Sequence, residues 1–432
     1  MEFLLLLLLG TFFSCIVLCR MEDTEGNNMV HFGSIDTCTS SQLRSPRVPW
    51  EVFDYIMDFL QNDMSTLLAC AQSCRQLHAS SVLYIYRNVS IQTAQQCVSF
   101  ENTIKNNLWI GASVRTLLLD KRERHVQFTM PWVYNHLAMN LSASLPNCHT
   151  LTLAKIEDLW KERYFDNLTR FKSIRKLVLL GCAMAPQELY AFLGCFENLQ
   201  ELRIESFREL FAGRYKEHPV RFKPRLTRLR LDCENMPLST LGNTFYRFIL
   251  DTPTRDTLER ISIMTYKTDI ESTGEFLRSF GPERIVEIEM GFVRRYGFYG
   301  DDPLTIRDLL SLSYHTALEK LIFLDFTNPA VQIILESFSP QHSSVRRIKF
   351  YVAIYAFKEI RERVDHIAMS YILLSNFPNL GEVCIAFRGD FELDDVSREY
   401  EMLYSELRQG IKLKVVKVSS VTSGRLNRFE DD

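Results

Sequence analysis

At 432 residues, with 46% hydrophobic and 24% charged side chains, the chain has the composition of a folded globular protein. It is long enough for two or three domains, or for a small module followed by a long repeat array. A formal net charge of −3 gives the chain as a whole no nucleic-acid signature, and 30 Phe against 17 Gly and 4 Trp point to many aromatic core positions and few tight functional loops. The 11 cysteines are odd in number and scattered, frequently inside apolar runs such as those around Cys195 and Cys384. That usage fits reduced, buried thiols of an intracellular protein better than a disulfide framework.

Residues 3–19, FLLLLLLGTFFSCIVLC, are apolar almost without interruption, at the lower edge of the length that spans a bilayer. They make a poor secretory signal, because Glu2 rather than a basic residue precedes them and no clear small-x-small cleavage site follows. As a signal anchor the run would leave Arg20 and the rest of the chain on the cytosolic side. Alternatively Met21 is the true start, and residues 1–20 are a misassigned extension. The sequons at Asn88, Asn140 and Asn167 are about what chance supplies. The chain is therefore expected in the cytoplasm or nucleus, or membrane-anchored facing the cytosol, with residues 3–19 its only membrane contact. Residues 21–47 have few large apolar side chains and no period, and read as a flexible linker.

From Val48 to Arg87 the apolar spacing becomes helical. Val52, Phe53, Ile56, Phe59 and Leu60 give one short amphipathic helix, which Asn62-Asp63 breaks. Ser65 or Asp63 can cap a second helix carrying Leu67, Leu68, Ala71 and Cys74, and a third runs through Val82, Leu83 and Tyr86. Three helices in 40 residues cannot bury enough surface to be stable alone, so part of their apolar surface must meet another element or a partner. Cys70 and Cys74 would share a helix face, but no second ligand pair completes a metal site.

This segment resembles an F-box. Val48-Pro49, Glu51-Val52, Ile56 and Leu60 carry the likeness, with Ser65-Thr66-Leu67-Leu68-Ala69-Cys70 and Ser73-Cys74-Arg75. Where the family has Leu before the proline and Trp two residues after the Cys-Arg pair, this chain has Val48 and Leu77, both still apolar. The resemblance implies docking on a Skp-family adaptor, and through it a cullin. Val48, Pro49, Val52, Ile56 and Leu60 would make that contact, completed by Leu67, Leu68, Cys74 and Arg75.

Behind this module a short apolar phrase recurs, with two residues and then one between its apolar positions. It stands at Val114/Leu117/Leu119, Cys148/Leu151/Leu153, Ile174/Leu177/Leu179, Leu199/Leu202/Ile204 and Leu226/Leu229/Leu231. It continues at Leu258/Ile261/Ile263, Ile285/Ile288/Met290, Leu318/Leu321/Phe323, Val345/Ile348/Phe350 and Leu380/Val383/Ile385. Successive copies start between 25 and 35 residues apart, with helical patterns such as 185–196, 238–250 and 367–374 between them. A strand plus a helix at that period resembles a leucine-rich repeat, and Cys182 stands where that family places Asn or Cys. The expected fold is thus α/β: a short three-helix module over 48–87, then a leucine-rich-repeat solenoid over 88–418 and a polar tail over 419–432. The competing architecture is a doubly wound sheet with similarly spaced strands, but no glycine-rich phosphate loop marks a switch point.

In a strand the residues between the apolar positions point to the opposite face. That selects Glu201, Arg203, Glu205, Arg228, Arg230, Asp232, Arg260, Glu287, Glu289, Arg347, Lys349 and Tyr351 as the charged part of a concave face. The early copies offer Thr150, Thr152, Val178 and Leu180 instead, so the face should be neutral first and mixed in charge later. Such alternation suits a protein partner of complementary charge, here a client. The stretch 203–230 holds nine Arg or Lys against three acids, but interleaving of the acids disfavours a phosphate track. No Gly-x-Ser-x-Gly elbow, phosphate loop, His-Glu-x-x-His or paired Cys-x-x-Cys occurs, and the nine His are dispersed. No catalytic site, metal or cofactor is expected. The resemblance implies the substrate-recognition subunit of a cullin-type ubiquitin ligase; the alternative is a non-ligase repeat scaffold or membrane-tethered receptor whose small helices cap the array.

Overall fold

The computed structural model describes residues 50–61, 63–73, 75–120, 140–156, 162–209, 222–232, 241–292, 303–340, 344–353, 365–388 and 411–418, with 397, 398, 400, 401, 404 and 407. The apolar run 3–19, the linker, Val48, Pro49, Cys74, the side chain of Arg75 and the tail 419–432 lie outside the described residues.

Three helices open the fold: α1 (Trp50–Phe59), α2 (Met64–Ser73) and α3 (Arg75–Ile85). Of the two possible caps, Asp63 takes the role. Its carboxylate accepts the Ser65 hydroxyl at 2.7 Å, the Thr66 hydroxyl at 2.7 Å and the Thr66 N–H at 3.1 Å. Those bonds, led by the one from Ser65, lower its pKa to about 2. Met57, Leu67, Cys70 and Leu77 form a small separate core, with Phe53, Ile56, Leu60, Tyr84 and Ile85 packed against it. Val82 belongs to the main core instead, and Tyr86 packs against that core with its ring 6.4 Å from Phe100.

The main body is one 12-stranded sheet, parallel throughout. Its strands are β1 (Asn88–Ile91), β2 (Thr116–Asp120), β3 (Thr150–Ala154), β4 (Lys176–Leu180), β5 (Glu201–Glu205) and β6 (Arg228–Asp232). It continues with β7 (Arg260–Thr265), β8 (Glu287–Phe292), β9 (Lys320–Phe323), β10 (Arg347–Ala353), β11 (Glu382–Arg388) and β12 (Lys412–Val418). The spatial order follows the chain and never reverses, which sets the doubly wound alternative aside.

Register lines up the apolar phrase. Its second positions, from Leu117 through Leu202 and Ile288 to Val383, form one row across the sheet, and its third positions, from Leu119 through Ile204 and Met290 to Ile385, form another. Every member of both rows is at most 2% exposed. Both rows share one continuous core with buried faces of the intervening helices, such as Phe192 of α7 (Pro186–Leu193) and Leu373 of α12 (His366–Asn376). Between α3 and α12 the chain also forms α4 (Ala94–Asn106), α5 (Leu108–Ser113), α6 (Glu162–Leu168) and α8 (Leu241–Leu250). Further helices are α9 (Ile270–Arg278), α10 (Pro303–Leu309) and α11 (Pro329–Glu336), and two very short ones span Ser142–Ser144 and Thr254–Thr257. The helical patterns 185–196, 238–250 and 367–374 fall on α7, α8 and α12. The Cys182 thiol lies 3.3 Å from the Leu153 carbonyl of the preceding strand, tying two repeats together.

Parallel strands this close need a turn of fixed geometry where each ends. Lys155, Gly181 and Ser206 follow β3, β4 and β5, and all three are left-handed, at φ 58°, 61° and 49°. Each donates its N–H to the last residue of the next strand: Lys155 to Leu180 (2.7 Å), Gly181 to Glu205 (2.7 Å) and Ser206 to Asp232 (2.8 Å). Only Gly adopts this conformation without steric cost, so two of the three repeats carry strain there.

Candidate functional site

Two surfaces stand out. The first is the outer side of α1 and α2. Val52, Tyr55 and Phe59 recur at i, i+3 and i+7 on α1, and are 39%, 73% and 65% exposed. Met64 and Leu68 of α2 add apolar surface at 45% and 46% exposure. The small core turns these side chains outward, because Phe53, Ile56 and Met57 on the other side of α1, with Leu60 just after it, already fill it. Of the expected adaptor contacts, Val52 and Leu68 are therefore presented, and Ile56 and Leu60 are half-buried. Leu67 is wholly buried and supports the surface from beneath. Tyr55, Phe59 and Met64 were not among the expected contacts; for Tyr55 the helical spacing from Val52 to Phe59 is the signal that finds it.

The second surface is the side of the sheet opposite the core. One row across it reads Lys176, Glu201, Arg228, Arg260, Glu287, Lys320, Arg347, Glu382 and Lys412. The next reads Val178, Arg203, Arg230, Ser262, Glu289, Ile322, Lys349, Cys384 and Lys414. All the expected client-facing residues lie on this side, but they are not equally presented.

Through the middle of the sheet the charges neutralise one another. Lys176 meets Glu201 at 2.7 Å, and Glu287 takes Lys320 at 3.4 Å and Arg260 at 4.0 Å. Arg203 and Arg230 converge on one Glu205 oxygen at 2.7 and 3.2 Å, where the Glu205 side chain is only 4% exposed. Burial, and then the neighbouring Arg203, push the Arg230 guanidinium below its ordinary pKa, while Glu289, Glu205 and Asp232 oppose that shift. Glu289 is itself 3% exposed. Arg203, Arg230 and Glu289 are thus largely committed to the sheet, because β5, β6 and β8 bring both signs within reach. Arg228 remains exposed.

The last three strands differ. Arg347, Lys412 and Lys414 are exposed and, among the described residues, have no carboxylate within 4.0 Å. Lys349 lies over the ring of Tyr351, 4.8 Å from its centroid. Cys384 sits in register between Lys349 and Lys414, 8% exposed. Lys412 and Lys414 were not among the expected contacts, although their alternation in KLKVVKV is the strand period itself.

The chain matches no protein-family model and no curated protein. Among the described residues no group of three His, Cys, Asp or Glu side chains could hold a metal ion. Burial pushes the Cys97 and Cys148 thiols up to about 12, far from the range of a nucleophilic thiolate. Among the described residues no helix is long and apolar enough to cross a membrane.

Proposed function

We propose that the chain is the substrate-recognition subunit of a cullin-type ubiquitin ligase. Helices α1–α3 would act as an F-box on a Skp-family adaptor, and the sheet would be a leucine-rich-repeat solenoid holding a client protein. The observation that carries this reading is the apolar side of α1 and α2. Val52, Tyr55, Phe59, Met64 and Leu68 remain exposed although the module has its own core and is joined to the main one through Val82. Large apolar side chains left open together on a folded module suit a partner interface. Catalysis would come from proximity: the ligase core brings activated ubiquitin to a client held on the sheet, raising its effective concentration.

The test is capture of a Skp-family adaptor by the full chain, beside a Val52→Glu/Leu68→Glu variant. Both positions are exposed, so the variant should keep its folding transition while capture disappears. Truncating a central anchor of such an interface typically costs about 2 kcal/mol or more. Failure of a folded wild-type chain to capture any Skp-family adaptor would sink the ligase reading and favour a scaffold whose helices cap the array. The packing of Val82, Ala71 and Tyr86 against the main core is what such a cap would share.

A further inference from the structure

Among the described residues, most cations in the middle of the sheet face are paired with carboxylates, Arg228 excepted, whereas those at its end are not, and this division says what the end is for. In the middle, Lys176, Arg203, Arg230, Arg260 and Lys320 each have a carboxylate within 4.0 Å. At the end, Arg347, Lys412 and Lys414 have none among the described residues. We propose that the face of β10–β12 is a docking platform for an extended acidic segment of the client protein. The inference rests on reading this side of the sheet as the client-binding surface.

Geometry favours a peptide strand. Lys412 and Lys414 stand two residues apart on one face, as do Arg347 and Lys349, so each pair is spaced by roughly 6.6 Å. Alternate side chains of an extended peptide recur at the same spacing, so Glu-x-Glu sets one carboxylate against each cation. The platform is also partly preorganised. Lys349 is drawn over Tyr351, and the small side chains of Cys384 and Ala386, both buried, floor the space between β10 and β12. Such a floor strengthens each ion pair made above it by lowering the local dielectric. A nucleic-acid strand fits less well. Glu382 interrupts the first row between Arg347 and Lys412, and a longer polyanion running toward the middle meets Glu287. The complementary ligand is therefore short and spaced like a strand.

The test uses fluorescence anisotropy with the full chain and a labelled twelve-residue peptide alternating Glu and Ser. A Gln-Ser peptide and a twelve-nucleotide single strand serve as competitors. The acidic peptide should bind, weaken as salt rises, and lose at least about tenfold in affinity with Lys412→Glu/Lys414→Glu. Lys105→Glu, an exposed change on α4 away from the sheet face, should leave binding within about twofold. Equal binding by wild type and the Lys412/Lys414 variant would overturn the proposal, and so would tighter, equally charge-dependent binding of the oligonucleotide. Adaptor capture measured on the same proteins separates the two readings. Capture without peptide binding removes only the acidic-segment platform, whereas peptide binding without capture removes the ligase.

Discussion

Acidification should destabilise this fold through one imidazole. His315 follows α10 on the way into β9 and is 1% exposed, and among the described residues neither ring nitrogen has a hydrogen-bond partner. The Tyr314 ring lies edge-on to it at 5.7 Å. Burial lowers its pKa from 6.5 to about 4, because nothing replaces the water that an imidazolium would lose. A depressed folded-state pKa means that the unfolded chain takes up the proton first. Above about pH 6.5 both states are neutral, and the group contributes nothing to the pH dependence. Below that, each pH unit removes about 1.4 kcal/mol until the folded pKa is reached, for a total of about 3 kcal/mol. At about pH 5 the loss is already about 2 kcal/mol. Urea unfolding of wild type and His315→Leu measures this directly. Leu is neutral at every pH and similar in size, so the stability of the variant relative to wild type should rise by about 2 kcal/mol between about pH 7.5 and about pH 5. Because an array of successive strand–helix units need not unfold in one step, exchange protection of the Leu318 and Leu321 amides provides the local readout. Parallel pH profiles for the two proteins would refute the assignment of a neutral, desolvated His315.

Two further substitutions test the sheet itself. Glu205→Gln leaves Arg203 and Arg230 converging on an uncharged amide where their side chains are 16% and 11% exposed; a loss of about 3 kcal/mol is expected in thermal unfolding. A loss below about 0.5 kcal/mol would show that Asp232 and Glu289 suffice to hold the cluster. Ser206→Gly relieves the left-handed strain after β5 and should raise stability by about 0.5–1 kcal/mol, net of the added freedom of the unfolded chain. An unchanged or lower melting temperature would mean that the Ser206 backbone is not strained.

How much of this was legible depended on whether a feature is local. The two core rows could be read because Leu202 and Ile204, like their counterparts, obey the strand period and recur at repeat spacing. The first strand escaped for a local reason as well. Tyr86/Val89/Ile91 is a copy of the phrase, but Tyr86 also continues the apolar spacing of α3. The last strand escaped because Gly410 stands where the phrase has its first apolar residue. The left-handed turns at Lys155 and Ser206 leave no trace in sequence; only Gly181 does. Least legible was the fate of the charges. Alternation places Arg203, Arg228, Arg230 and Lys349 on one face, but register with the neighbouring strands decides which are neutralised. Arg230 and Arg203 meet at Glu205, while Arg228, one pleat away from Arg230, stays exposed.

The two proposed surfaces belong to one rigid arrangement, and α3 is the reason. Leu77, near its start, lies in the small core, and Val82, near its end, lies in the main core, so an 11-residue helix spans both. Tyr86 continues the contact against Phe100 of α4, and β1 begins only two residues further on. A module joined this way cannot rotate to cover its own apolar side, since turning α1 inward would pull Val82 from its packing. Proximity catalysis makes the same demand. A flexible tether between adaptor and client would set only an effective concentration, whereas a fixed helix in the proposed assembly would hold the client at one distance and orientation from the ligase core. The continuous backbone ladder extends that fixed frame, from Arg115 bonded to Arg87 at 2.8 Å through to Lys412 bonded to Gly381 at 2.9 Å. In the proposed assembly the adaptor side and the basic platform at β10–β12 therefore lie at opposite ends of one hydrogen-bonded frame. A client docked at the far end is presented at a distance set by the number of strands between them.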